Sequence, residues 1–363
     1  MIEKGKISSL QMGMLMFLMI GATSTLIVPA ITAQQAERDM WISPIWGSIS
    51  GFVVISVSWI LNRWYPQYTV IQYSISILGR YFGRLGGLLI LYFLIHGNAL
   101  ITREYGEFIV SSFLLRTPSI IIMTSLIIVC AIAVRCGLEA IARATQIFLP
   151  FILLIFLGIT ILLIPDLKPY RMFPIMENGI MPSIIGSVLP HTWFMEFFLI
   201  SFLYPYVSDR SKTLKWGFLS VLGMMVMMVI TNISSLFLFG NLTGSFHFPV
   251  FEAASYISFA NFIEHMDAIV MVIWVLGGFV QISLWYYALA LGIAQWLNLN
   301  DYRPLVYPLG LVIIVTSIWV TPNLNELIHF FTTDSPFYSL AILILYPVGL
   351  MVISMIRRKM SNA

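Results

Sequence analysis

The chain has 363 residues, 59% of them hydrophobic and only 10% charged, with a formal net charge of +3. Soluble domains carry roughly a quarter of their residues as Asp, Glu, Lys or Arg, so a water-soluble fold is excluded. The sparse basic residues also exclude a nucleic-acid surface, which needs a dense basic stripe.

Apolar stretches recur from residue 8 to residue 356 with no extended polar block between them. This predicts a single polytopic membrane domain over residues 1–363, all-α, in which lipid is the principal solvent. A bilayer core of about 30 Å needs about 20 mostly apolar helical residues. Such runs fall at Ser9–Ala33, Trp41–Leu61, Leu85–Leu115, Ser119–Val134, Ala144–Ile164, Ile184–Tyr206, Leu214–Phe239, Ala268–Leu291, Leu305–Val320 and Phe337–Ile356. The first follows MIEKGKISSL without a small-residue cleavage site, so it reads as a retained span and not a signal peptide. Between spans, Thr69–Tyr81 mixes polar and apolar residues at helical spacing and reads as an inner interfacial helix. Phe248–His265, aromatic, acidic and free of Lys and Arg, reads as an outer one.

Lys and Arg set sidedness, because short loops rich in them stay on the cytoplasmic side. With the N-terminus inside, fourteen of the 19 basic residues fall in inner segments: Lys4, Lys6, Arg63, Arg80, Arg84, Arg135, Arg143, Arg210, Lys212, Lys215, Arg303, Arg357, Arg358 and Lys359. Only Arg38, Arg116, Lys168 and Arg171 fall outside, and Arg103 lies within the third span. Ten spans with both termini cytoplasmic follow.

Ten spans divide as five plus five, about 8–165 and about 180–357. In transporters built as inverted repeats, corresponding helices of the two halves break near the midplane and expose backbone to substrate. Gly21, Ala22, Thr23, Ser24 and Thr25, followed by Pro29, mark such a break in the first span; Gly186, Ser187, Pro190, His191 and Thr192 mark it in the sixth. Ordinary close helix packing uses the same residue types.

Four carboxylates or guanidinium groups are predicted within the membrane, where ionised groups face a partner or a wet cavity. Arg103 and Glu107 form an i, i+4 pair on the third span, close to the stripe of His96 and Leu100. Glu104 points elsewhere, and Glu196 in the sixth span has no basic neighbour of its own. His96 and His191 lack a second ligand one turn away and read as packing residues, not metal ligands. Cys130 and Cys136 have neither metal-ligand nor disulfide-framework spacing. No nucleophile elbow, phosphate loop, dinucleotide fingerprint or zinc motif occurs, so neither enzymatic activity nor a cofactor or metal is expected.

The first-span proline followed by ERDMWIS at Glu37–Ser43, YSISILG at Tyr73–Gly79 and TREYGEFIVSSFLLRTP at Thr102–Pro118 form an ordered series. It continues with RCGLEAIAR at Arg135–Arg143, PYRMFPIMENG at Pro169–Gly179 and FPVFEAASYISFANFIEHMDA at Phe248–Ala268. In their order and spacing these segments resemble the B subunit of endospore germinant receptors, a branch of the amino acid, polyamine and organocation transporter superfamily. The resemblance implies ten spans in an inverted five-plus-five repeat with broken helices 1 and 6. It also implies residence in the spore inner membrane and assembly with A-type and C-type subunits. In that setting a permease-like pocket binds a small germinant, most commonly an amino acid, and signals germination.

Carried onto this sequence, the resemblance places the pocket at Gly21, Ala22, Thr23 and Ser24 of the first span and Gly97 and Asn98 of the third. Trp193, Phe194, Met195 and Glu196 of the sixth continue it, and Gln281, Ser283 and Tyr287 of the eighth close it. Two departures stand out: the first-span break holds one glycine where permeases often have a pair, and Met195 stands where the family often has glycine. The competing readings are a permease coupled to protons through Glu196 or the Arg103–Glu107 cluster, and an ion-conducting pore.

Overall fold

Inside hydrocarbon every backbone N–H and C=O must be satisfied within its own segment, so apolar runs of span length fold as helices. The computed structural model describes residues 2–255 and 266–361. Among them, nine helical segments are long and apolar enough to cross a membrane: Ser9–Asp39, Ser43–Trp64, Arg80–Ser112, Ser119–Cys136, Leu138–Asp166, Met181–Tyr206, Arg210–Ser245, Ala268–Trp296 and Ser335–Met360. Arg303–Trp319 followed, after a bend of 94°, by Leu324–Thr333 makes a tenth candidate if the bent pair is one span. Numbered in chain order, these are spans 1 to 10, with Arg303–Trp319 as span 9. They match the ten predicted runs.

Span 1 is the axis of the bundle. It packs against spans 5, 6, 7 and 8, and 89% of its most apolar stretch is buried, against 28%, 22% and 28% for spans 4, 5 and 10, which are left to face lipid. Some contacts recur when each span is exchanged with the one five places on: span 1 packs on span 7 as span 6 packs on span 2, and span 3 packs on span 9 as span 8 packs on span 4. Others do not, since span 1 packs on span 8 without a comparable packing of span 6 on span 3 among the described residues.

One expectation fails. Span 1 does not break: it is continuous α-helix over Ser9–Ala36, with the Thr25 hydroxyl donating back to the Gly21 carbonyl at 2.9 Å and Thr32 to Val28 at 2.8 Å. Every residue from Leu18 to Thr32 is buried, so an unwound segment there would strand its amides away from water. Pro29 forgoes a single backbone bond and the helix continues past it. Span 6 does break, into α-helix at Met181–Gly186 and Val188–Met195 and then a 3₁₀ turn at Glu196–Leu199. Pro190 has no N–H to give Gly186, which loosens the turn between the two helical pieces.

The inner interfacial segment forms a helix, Val70–Leu78, capped by Thr69 and ended at Gly79 with φ 82. It folds back under span 3 so closely that a Cβ on Gly83 would lie 2.4 Å from the Ile75 Cα. Its apolar face is buried against protein. Of the expected outer helix, Pro249–Ser255 is helical, and residues 256–265 lie outside the described residues.

Contacts between loops gather at two ends. At one end Ile7 pairs with the loop after span 6, its N–H donating to the Tyr206 carbonyl (3.0 Å) while its carbonyl accepts from Ser208 N–H (2.9 Å). The buried Glu3 carboxylate accepts from Tyr302 Oη (2.9 Å) and Leu138 N–H (3.4 Å), tying in the loops after spans 4 and 8. Arg358 reaches the Trp64 carbonyl at 3.0 Å, so the C-terminal helix joins the same end. At the other end Arg38 donates to the Phe173 carbonyl (3.0 Å) and Gln34 to the Gly244 carbonyl (2.8 Å).

A candidate ligand cavity at the break of span 6

Span 3 presents Phe93, His96, Gly97, Leu100, Ile101 and Glu104 at intervals of three and four, one stripe of a helix. Thr192, Trp193 and Glu196 come from span 6 where it passes into the 3₁₀ turn. Together with Thr23 of span 1 and Trp285 of span 8 they line a partly open cavity. The far wall is Phe331 of the bent segment and Ser335, Tyr338 and Ser339 at the start of span 10. Span 10 then runs through a π-helical stretch, Leu340–Leu345, an irregularity that recurs at functional sites. Three of the elements around the cavity therefore depart from regular helix.

Its centre is a polar node on Thr23, whose hydroxyl accepts from Trp193 Nε1 (2.8 Å) and Gln281 Nε2 (3.1 Å), tying spans 1, 6 and 8 together. Rings form much of the rim: Trp193 meets Phe331 at 5.5 Å between centroids, Phe93 meets Tyr338 at 4.9 Å and Trp285 at 5.8 Å, and His96 meets Tyr338 edge-on at 5.6 Å. Trp285 sits in the space left by Gly97, where a Cβ would fall 2.4 Å from the indole.

Two carboxyl groups reach this cavity. Glu104 is 1% exposed and its Oε1 has no hydrogen-bond partner among the described residues. Glu196 lies beside Trp285 and Gln281, and its Oε2 likewise closes no hydrogen bond. The Arg103 guanidinium turns from this cavity through its Nη2, which pairs with Glu107 at 2.9 Å and donates to the Pro322 carbonyl at 2.8 Å, in the bend after span 9. Among the described residues no cluster of three or more His, Cys, Asp or Glu could hold a metal ion.

Of the residues placed in the pocket from sequence, Thr23, Gly97, Trp193 and Glu196 line the cavity, and Gln281 reaches its edge through Thr23; Glu104, expected only as an intramembrane charge, lines it as well. The others lie elsewhere. Gly21 faces the sulfurs of Met224 and Met227 on span 7, and Ala22 packs on Gly277 of span 8. Ser24 and Ser283 are buried away from the lining, and Asn98 donates to the Leu94 carbonyl of its own helix at 2.7 Å. Phe194 and Met195 are in the core. Tyr287 meets Tyr302 edge-on at 5.6 Å, near the buried Glu3, so it does not line this cavity. The pair Arg103 and Glu107 braces the bend of span 9 and is not part of the lining.

The sequence reading did not place Phe93, Leu100, Ile101, Trp285, Phe331, Ser335, Tyr338 or Ser339 in the pocket and gave Thr192 only as part of the span 6 break; His96, read as packing, stands on the cavity with Nδ1 unpartnered among the described residues. A signal for the bent segment was present. Asn323 followed three residues later by Glu326 is a helix-start pattern, and Asn323 Oδ1 does accept from the Glu326 amide at 3.0 Å.

The fold is one already known from transporters. A solved structure of a Na+-coupled sialic acid symporter, in a substrate-bound outward-open state, superposes with a TM-score of 0.67 over 94% of this chain and 80% of that one, at 10% identity. In sequence the chain is 27% identical to spore germination protein KB of Bacillus subtilis (strain 168), over 98% of this chain and 96% of that protein. It is 29% identical to spore germination protein XB of Bacillus anthracis over 73% and 76%, and 25% identical to spore germination protein YndE of Bacillus subtilis over 98% of each. The spore germination protein family matches over residues 6–325, and the chain is a multi-pass membrane member of that family.

Proposed function

We propose that this chain is the B-type subunit of a spore germinant receptor, binding a small nutrient molecule of the amino-acid class in the cavity at the break of span 6. Occupancy would be passed to A-type and C-type subunits in the spore inner membrane, with both termini on the core side. One observation carries the reading: Glu104, Glu196 and the Thr23 node, from three different spans, converge on one cavity inside a transporter fold of a spore germination family. Buried carboxyl groups without partners are costly within a membrane and mark ligand or ion sites by default. Span 6 links that site to the inner end, since the same segment runs from Glu196 to the Tyr206 carbonyl that pairs with Ile7.

The test is germination of spores lacking the gene, complemented with the wild-type chain and challenged with single amino acids, sugars and nucleosides. Loss of one response on deletion, restored by complementation, is the expected result; a full set of responses without the gene refutes the reading. The fold shared with a coupled symporter favours a second reading, an amino-acid permease coupled through Glu196. Signalling and transport can use the same two-state pocket, and uptake of labelled amino acids by proteoliposomes separates them.

A further inference from the structure

We infer that the cavity recognises its ligand through a cationic ammonium group held by Glu104 and Glu196, and that a carboxylate on the ligand is dispensable. The inference rests on the germinant-site reading and narrows the ligand to small primary amines, amino acids entering through their amino group. Both acids line the cavity, and each carries a buried oxygen with no partner among the described residues. Neither Lys nor Arg is in the lining, and Arg103 already serves Glu107 and the Pro322 carbonyl. A ligand that brings positive charge would balance these two carboxyl groups as they ionise, whereas an anion finds no cationic side chain in the lining.

Span 1 offers no alternative anchor for a carboxylate. In broken-helix transporters, amides at the unwound end of a helix hold the anionic part of the substrate, and span 1 is continuous α-helix over Ser9–Ala36. The remaining walls suit an organic cation. Trp193 and Trp285 face the same space as the acids, with Phe331 packed on Trp193, and ring faces attract ammonium groups as well as apolar bodies.

The test uses the full chain purified in nanodiscs and matched probe trios: ethylamine, alanine and propionate; isoamylamine, leucine and 4-methylpentanoate; phenethylamine, phenylalanine and 3-phenylpropionate; with glucose and inosine beside them. Saturable binding is read by calorimetry. The expected result is binding by the amine of at least one trio, at least tenfold tighter than its carboxylate-only member, and weakened at least tenfold by Glu196→Gln. The comparison within a trio needs only the wild-type chain, so a variant that fails to fold does not remove the test. The inference is overturned if a carboxylate-only probe or glucose binds as tightly as every amine, if no amine binds, or if a folded Glu104→Gln/Glu196→Gln chain keeps wild-type amine affinity. If glucose or inosine instead drives a germination response that the deletion abolishes, the receptor reading stands and the ammonium assignment falls; if the deletion abolishes no response, both fall.

Discussion

At Thr23 a single hydroxyl oxygen accepts from two buried donors on two other spans, Trp193 Nε1 and Gln281 Nε2. Thr23→Val keeps the shape but strands both donors, each costing about 1–3 kcal/mol when left unsatisfied. The expected outcome is a lowered thermal midpoint of the purified chain together with a weakened germinant response; an unchanged midpoint would mean that the node closes through other partners. Thr23, Glu104 and Glu196 stand out in sequence because hydroxyls and charges contrast with an apolar background, whereas Gly97 and Trp193 came only with the family resemblance. Sequence reading could not separate Phe93, Trp285, Phe331 or Tyr338 from their neighbours. In a membrane protein an aromatic facing lipid, core or cavity is written with the same letters, and the usual contrast between a wet and a dry face is lost.

Spans themselves were legible, since ten apolar runs of bilayer length and the alternation of Lys and Arg fix their number and order. The state of each helix was less so. Gly21–Thr25 and Gly186–Thr192 look alike in composition, yet only span 6 breaks, because Pro190 withholds a donor there while span 1 is sheathed by buried neighbours from Leu18 to Thr32. The bend of span 9 has a different device, the Arg103 guanidinium bound to both Glu107 and the Pro322 carbonyl. Arg103→Gln should leave Glu107 unpaired at a site only 20% exposed, a loss on the order of 3 kcal/mol for a broken buried pair. The double change Arg103→Gln/Glu107→Gln should recover a large part of it. Thermal unfolding of the two variants measures this, and equal losses in both would show that the pair does not brace the bend.

Across the whole molecule the end that carries the N-terminus is held by a strap of N-terminal residues, with Ser9 donating from its amide (2.6 Å) and hydroxyl (2.7 Å) to Asp209 after span 6. Partial burial opposes ionisation of Asp209, but these Ser9 bonds and the nearby Lys212 outweigh it and hold its carboxyl below the ordinary range. An acid depressed on folding contributes stability above its unfolded pKa and loses it as pH falls through the folded value. Protection of the Ile7 and Ser208 amides from hydrogen exchange, corrected for intrinsic rates, should therefore decline as pH drops below about 4. Asp209→Asn should lower that protection at neutral pH and flatten its pH dependence; a wild-type profile in this variant would show that the strap is held by other contacts.

The account turns on whether the cavity beside span 6 receives the germinant, and two small substitutions test it most directly. Gly97→Ala drives a methyl into the Trp285 ring, whereas Gly158→Ala places one in open space. With spores carrying either chain at matched abundance, the germination dose–response is predicted to move to several-fold higher germinant concentration for Gly97→Ala and to stay on the wild-type curve for Gly158→Ala. Superimposable curves for Gly97→Ala and wild type would contradict the account.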